Sequence, residues 1–261
     1  GYSNSFWQLR LVWFQQNFSL LMNIIIIVGV IYYFYPKIAR RFGWSGKLKP
    51  KKKITHPLWI QLKHAFYLLR HPIDGFTALR YEKKGSYLSS IIIIIVAFVS
   101  MVLSEMWTSF SFNANAGKYI DIATMFGQFI VLFMGWVISN YLVSSVMRGE
   151  GRFKDVFMGT AYSLMPLILI GLPLAIISNG MTQSEAAIYS FLHQGMYIWI
   201  ALLIFWQVQN LQNYSVGETA ANIIVSMLTM GLLAIVLFLL FGLFVDLRDF
   251  VYSIFQEVAV R

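Results

Sequence analysis

Side chains able to do acid–base or metal chemistry are scarce in this 261-residue chain, which holds 4 histidines, 11 Asp and Glu, and no cysteine. Without cysteine there is no disulfide, no thiolate zinc site and no thiol nucleophile. His56, His64 and His71 lie along one basic stretch, and His193 lies far downstream. The spacing of His64 and His71 would suit one helix face, but Pro72 interrupts a helix there. Two histidines with no carboxylate at ligand spacing do not make a zinc site. The chain has no His-Glu-x-x-His, no Gly-rich phosphate loop and no Ser/His/Asp set in reach. No metal or cofactor is therefore expected, and the chain reads as non-enzymatic. Two ionisable residues touch long apolar runs, where the cost of burying charge in lipid marks a functional candidate. Glu105, beside Trp107, reads as lying at headgroup level. His193 reads as a packing or interfacial histidine, with a proton site as the alternative. No pair of carboxylates occurs within the runs, which leaves proton-coupled transport with little support.

The elements that would position these residues are membrane spans. The chain is 58% hydrophobic and only 12% charged, against about 25% charged in soluble proteins. Apolar runs about as long as the roughly 20 residues a spanning helix needs fall at 18–35, 87–107, 122–147, 156–178, 186–208 and 223–245. Trp7 and Trp13 before the first run, and Tyr32, Tyr33 and Tyr35 at its end, form interfacial aromatic belts. Asn23 inside it reads as a helix–helix hydrogen-bonding group. The reading is an all-α polytopic membrane bundle. Its parts are an N-terminal span (1–36), a basic linker (37–56), an interfacial amphipathic helix with a leading turn (57–86), a five-helix domain (87–245) and an amphipathic tail (246–261). No internal repeat is evident, which counts against inverted-repeat transporter folds.

Charge sets the expected orientation. Of 20 Lys and Arg, only Arg10, Lys118, Arg248 and Arg261 fall on one side of the alternating spans, and the other sixteen fall on the opposite side. The positive-inside rule makes the basic side cytoplasmic and both termini extracytoplasmic. The net charge of +9 flanks spans, which points to anionic lipid and away from nucleic acid. Arg40, Arg41, Lys51, Lys52, Lys53, Lys63 and Arg70 are the expected lipid contacts. In the segment 57–70, apolar residues recur at helical spacing, and a basic amphipathic helix too short to span lies in the interface plane. Trp59, Leu62, Phe66 and Leu69 are its expected anchors, facing the acyl boundary or the bundle. A turn is expected at Asp74-Gly75 and a polar turn over 209–222.

Small and kinking residues mark where helices meet. Gly127 and Gly135 fall on one span, and Pro166 and Pro173 break the next. Small residues let membrane helices approach closely, and proline in a span needs neighbours that satisfy the freed carbonyls. Gln128, Asn140, Gln207 and Gln209 are able to hydrogen-bond across helices. Partner or packing roles are expected for Asn23, Gly127, Gly135, Tyr162, Pro166 and Pro173.

Four short motifs resemble those of the Yip family, the Rab-interacting membrane domain, in its bacterial branch. They are His71-Pro72-Ile73-Asp74-Gly75-Phe76, the loop Gly151-Arg152-Phe153-Lys154-Asp155-Val156-Phe157, the span segment Ala161-Tyr162-Ser163-Leu164-Met165-Pro166, and Gln212-Asn213-Tyr214-Ser215-Val216-Gly217-Glu218-Thr219-Ala220. The resemblance covers residues 65 to 245 or so and leaves out the N-terminal span and its linker. It implies a five-helix membrane domain without catalysis that acts by binding other membrane proteins. For the bacterial branch it implies an accessory partner of ABC-type transport systems, in contact with their permeases, at the plasma membrane. The rival reading is a small transporter or channel, whose polar path would need Gln128, Asn140, His193 and Gln207.

Overall fold

The computed structural model describes residues 57–82, 84–113 and 119–259. The first span and the linker, with Asn23, Arg40, Arg41, Lys51, Lys52 and Lys53, lie outside the described residues. Among the described residues the chain is helical and without strands. Among the described residues five stretches are long and apolar enough to cross a membrane: Tyr87–Trp107, Ile122–Val146, Phe153–Ser178, Gln183–Gln212 and Val216–Phe250.

Helix α1 (Pro57–Arg70) starts at a proline, where the missing N–H costs nothing. It stops at His71, because the residue before a proline is pushed out of the α region. Helix α2 (Pro72–Tyr81) follows at once and runs straight through Asp74-Gly75, where a turn was expected. Gly75 is a packing glycine. A Cβ there would lie 2.9 Å from the Cα of Leu68, so α2 crosses α1 backbone to backbone. His64 seals the crossing through a 2.9 Å hydrogen bond between its Nε2 and the Gly75 carbonyl. The segment 57–86 is thus a docked helical hairpin and not one surface helix with a turn.

Helix α3 (Tyr87–Trp107) opens on a capping box in which Ser86 and Ser89 satisfy each other's backbone N–H groups. Helix α4 (Ile122–Val146) is capped by the Asp121 carboxylate, which accepts from the amides of Ala123 and Thr124 at 3.0 and 3.2 Å. The third span is discontinuous. Helix α5 (Phe153–Ser163) ends three residues before Pro166, a π-helical stretch covers Leu167–Gly171, and helix α6 (Leu172–Ser178) finishes the crossing. Proline has no N–H to give, so the ladder changes register around it, through a three-residue bond from the Leu167 amide to the Leu164 carbonyl.

Helices α7 (Ala186–Gln212) and α8 (Val216–Ala259) are separated by residues 213–215 alone. The sequence marks 209–222 as a turn because it is polar, yet Gln212, Thr219 and Asn222 are all buried in helices. Asn222 bonds to α4, Gln212 accepts from the Gly151 amide, and Thr219 donates to the Ser215 carbonyl of its own turn. Helix α8 also passes through Val245 without stopping, so the segment that reads as a separate tail continues the last span to Ala259. At about 1.5 Å per residue, its 44 residues measure on the order of 66 Å, roughly twice the ~30 Å hydrocarbon thickness.

A principal core sits at the basic end of the bundle and unites five helices. It holds Ala65 and Leu68 of α1, Phe76 and Leu79 of α2, Ile93 of α3, Met158 and Tyr162 of α5, and Leu203 and Leu211 of α7. Helix α8 packs chiefly on α4. Polar groups hold that pair: Asn140 Nδ2 donates to Asn222 Oδ1 at 2.8 Å and to Ser226 Oγ at 3.3 Å, and Asn222 Nδ2 donates to Ser144 Oγ at 3.1 Å. Interhelical hydrogen bonds in membranes contribute about 1–2 kcal/mol at most. Replacing Asn140 by leucine is therefore expected to cost about 1 kcal/mol and to loosen α8 selectively. Melting in detergent, with cysteine pairs across α4–α8 as reporters, checks this; an unchanged cross-linking rate would refute it.

Candidate functional site

Two features stand out at the basic end: a fastened junction of loops and an amphipathic groove. The junction forms where α4 gives way to α5 and α7 to α8. Arg148 and Asn213 both take the left-handed conformation there, at φ 59° and 58°. Such angles suit short polar residues ending a helix, and Asn213 follows that rule at the end of α7. Gly149 and Gly151 wrap the Gln212 side chain. A Cβ on Gly149 would lie 2.3 Å from Gln212 Oε1, and the Gly151 amide donates to that same oxygen at 2.8 Å.

Arg80 reaches in from α2. It donates to the Leu211 carbonyl at 2.8 Å, to the Glu150 carbonyl at 3.2 Å and to Glu150 Oε2 at 3.0 Å. A cation on the last carbonyls of α7 also suits the negative end of the helix dipole. Hydrogen bonds from the Asn213 amide and from Arg80 hold the Glu150 carboxyl below its usual range. The four sequence motifs meet around this end of the bundle. Tyr162, fully buried, donates to Ser89 Oγ at 2.9 Å and to the Gln61 carbonyl at 3.3 Å, and so ties the third span to α3 and α1. The sequence singled out Tyr162 but not Arg80, Glu150 or Gln212. The glycines at 149 and 151 were the visible signal, since paired glycines around a charged residue mark close backbone approach.

The groove runs along α1, with a volume of about 620 Å³, and is lined by Lys63, Arg70 and Lys84 beside Ile60, Phe66 and Leu169 among others. Three cations next to apolar wall suit a phosphate headgroup with its acyl chain. His64 and His71, which also line it, flank Tyr67 at ring distances of 5.7 and 5.0 Å. Burial pushes the His64 pKa down, against the opposing pull of its bond to Gly75. The face α1 buries is His64, Ala65 and Leu68. Trp59 and Phe66 point away from the bundle, at 63% and 52% exposure, while Leu62 and Leu69 pack on the core.

The remaining candidates are dispersed. A Cβ on Gly135 would lie 3.5 Å from the Met230 side chain across the α4–α8 seam, and one on Gly127 would meet nothing within 4 Å. Pro166 is buried and Pro173 exposed. Gln128 is exposed on α4, Asn140 is engaged by α8, and Gln207 is buried on α7 against Gly159 of α5. His193 lies at the opposite end of the bundle between Tyr189 and Tyr197. Among the described residues no group of three or more His, Asp and Glu is placed to hold a metal ion.

The fold and the junction define a polytopic helical membrane domain fastened at its basic end. The model of the Yip1 domain family matches residues 66–238, from within α1 to within α8, and the chain belongs to that family. No curated protein and no solved structure matches it.

Proposed function

We propose that this Yip1-domain protein is a non-enzymatic accessory or scaffold subunit of a bacterial plasma membrane, which binds and organises another integral membrane complex. One observation carries the reading. In the broken third span 56% of the apolar window is buried inside the chain, but in the α8 span only 6% is. Leu228, Leu232, Ile235, Leu239 and Leu243 are all more than half exposed along it. Helix α8 therefore offers a long, charge-poor face, and membrane helices associate through close packing of such faces. An ABC-type transport system, through its permease helices, is the class of partner. The basic end faces the cytoplasm on this reading, both termini lie outside, and the α1 groove holds an anionic lipid. The transporter alternative draws no support from Gln128, Asn140, His193 and Gln207: Gln128 is exposed on α4, Asn140 is engaged by α8, Gln207 is buried against Gly159, and His193 lines a cavity that the other three do not.

Photo-cross-linking tests the proposal. A photoreactive residue at Leu232 or Leu239 of the full chain in native membranes is expected to give discrete adducts with other membrane proteins. Adducts with lipid alone, or only with the chain's own N-terminal segment, would overturn it.

A further inference from the structure

Three basic residues line the groove along α1, Lys63, Arg70 and Lys84, and among the described residues no acidic one does. Lys84 is already matched, because its Nζ pairs with Glu82 Oε2. Lys63 and Arg70 are exposed and have no acidic partner among the described residues. They stand seven residues apart on α1, two turns, so one helix face presents both. By helix rise their Cα atoms are about 10 Å apart, within the combined reach of two long side chains. His64 adds no third charge to the wall, since burial pushes its pKa down and its Nε2 is bonded to the Gly75 carbonyl.

The rest of the groove is apolar. Ile60, Phe66 and Leu69 come from α1, and Leu169 comes from the π-helical stretch of the third span. That span begins at Phe153, so Leu169 lies well inside its apolar run. The groove therefore passes from Lys84, in the link between α2 and α3, to a depth that an acyl chain occupies.

We infer that the groove binds a lipid whose headgroup is a phosphate monoester, that is, phosphatidic acid. The inference rests on the reading that this groove holds an anionic lipid, and it narrows that reading to one headgroup chemistry. A phosphate monoester carries nearly two negative charges and three strong acceptor oxygens. Lys63 and Arg70 supply two uncompensated charges, and with Lys84 they bring three cationic heads to one groove. Arg70 also offers a planar fork for two parallel bonds to phosphate oxygens. A phosphodiester such as phosphatidylglycerol carries a single charge and would leave one cation unmatched beside apolar wall. Cardiolipin matches the charge but brings four chains to a wall of four apolar side chains. A soluble phosphate monoester would leave that wall uncovered.

The test uses the full chain in nanodiscs of equal parts phosphatidic acid, phosphatidylglycerol, cardiolipin and phosphatidylcholine. It is held at pH 8, where a phosphate monoester is close to dianionic, and released for native mass spectrometry. Phosphatidic acid is expected to be retained about fivefold over phosphatidylglycerol, the weight of one further charge pair near a membrane surface. Lys63→Gln and Arg70→Gln, at exposed positions, should each abolish that preference with melting unchanged. Lys154→Gln removes one charge from the same end of the bundle but outside the groove, and should leave the preference intact. Phosphatidylglycerol or cardiolipin retained as well as phosphatidic acid would overturn the inference and spare the anionic-lipid reading. Phosphatidylcholine retained equally with all three would overturn both. Displacement of the lipid by glycerol 3-phosphate, or a preference that survives both groove variants or is lost equally in Lys154→Gln, also overturns the inference.

Discussion

Gly75→Val is expected to lower the stability of the bundle by about 2–3 kcal/mol, the upper part of the range for overpacking. Valine at 75 would set a Cβ 2.9 Å from the Leu68 Cα and 3.0 Å from its Cβ. Leu68 is fully buried and belongs to the core that joins α1, α2, α3, α5 and α7. Relief therefore requires the α1 and α2 backbones to separate, which would also stretch the bond between His64 and the Gly75 carbonyl. Helix propensity argues the other way, but glycine concedes at most about 1 kcal/mol to a good helix former, so the clash wins. Gly127→Ala is the control. No atom lies within 4 Å of a Cβ there, so propensity alone acts and stability should rise by up to about 1 kcal/mol. Thermal melting in detergent measures both, and limited proteolysis reports whether α1 has come free. A Gly75→Val protein that melts with the parent would show that the two helices are not in contact.

Arg80→Met should open the basic end. The methionine keeps much of the apolar stem but removes the donors to the Leu211 and Glu150 carbonyls and to the Glu150 carboxylate. The Leu211 carbonyl sits in a buried residue, and leaving such a group unpaired costs about 1–3 kcal/mol; with the other acceptors in solvent, about 2 kcal/mol is expected. The change also has a pH signature. The Asn213 amide and Arg80 depress the Glu150 pKa in the folded protein. A depressed carboxyl stabilises the fold above its ordinary pKa, and that contribution fades as pH falls through the folded value. Arg80→Met should shrink this acid-side loss without abolishing it, since Asn213 remains. Melting temperatures between pH 7 and pH 3 measure the effect. An acid limb identical to that of the parent would show that Arg80 does not act on Glu150.

The sequence by itself determined the class of fold, because the solvent leaves no choice. Apolar runs of bilayer length must span as helices, since backbone groups have no partner in lipid other than one another. Ser86 before α3 and Asp121 before α4 carry oxygen next to orphan amides, and the chain starts helices there. Pro166 marked the broken span correctly, because a missing N–H is a property of one residue. What tertiary structure alone decided are the uses of residues whose chemistry allows two roles. Gly75 reads as a turn and is a crossing point, since only the approach of Leu68 distinguishes the two. Gln212, Thr219 and Asn222 read as a polar loop and are buried in helices, since a polar group satisfied by a protein neighbour looks in sequence like one satisfied by water. Arg80 reads as one more member of a basic cluster and closes the end of α7, a partner 131 residues away. Glu105 and His193, far apart in the chain, line one cavity. Local rules fix where helices begin, break and insert, because the backbone and the lipid act on each residue alone. Which side chains meet depends on how helices distant in sequence cross, and that information resides in pairs of residues and not in either member.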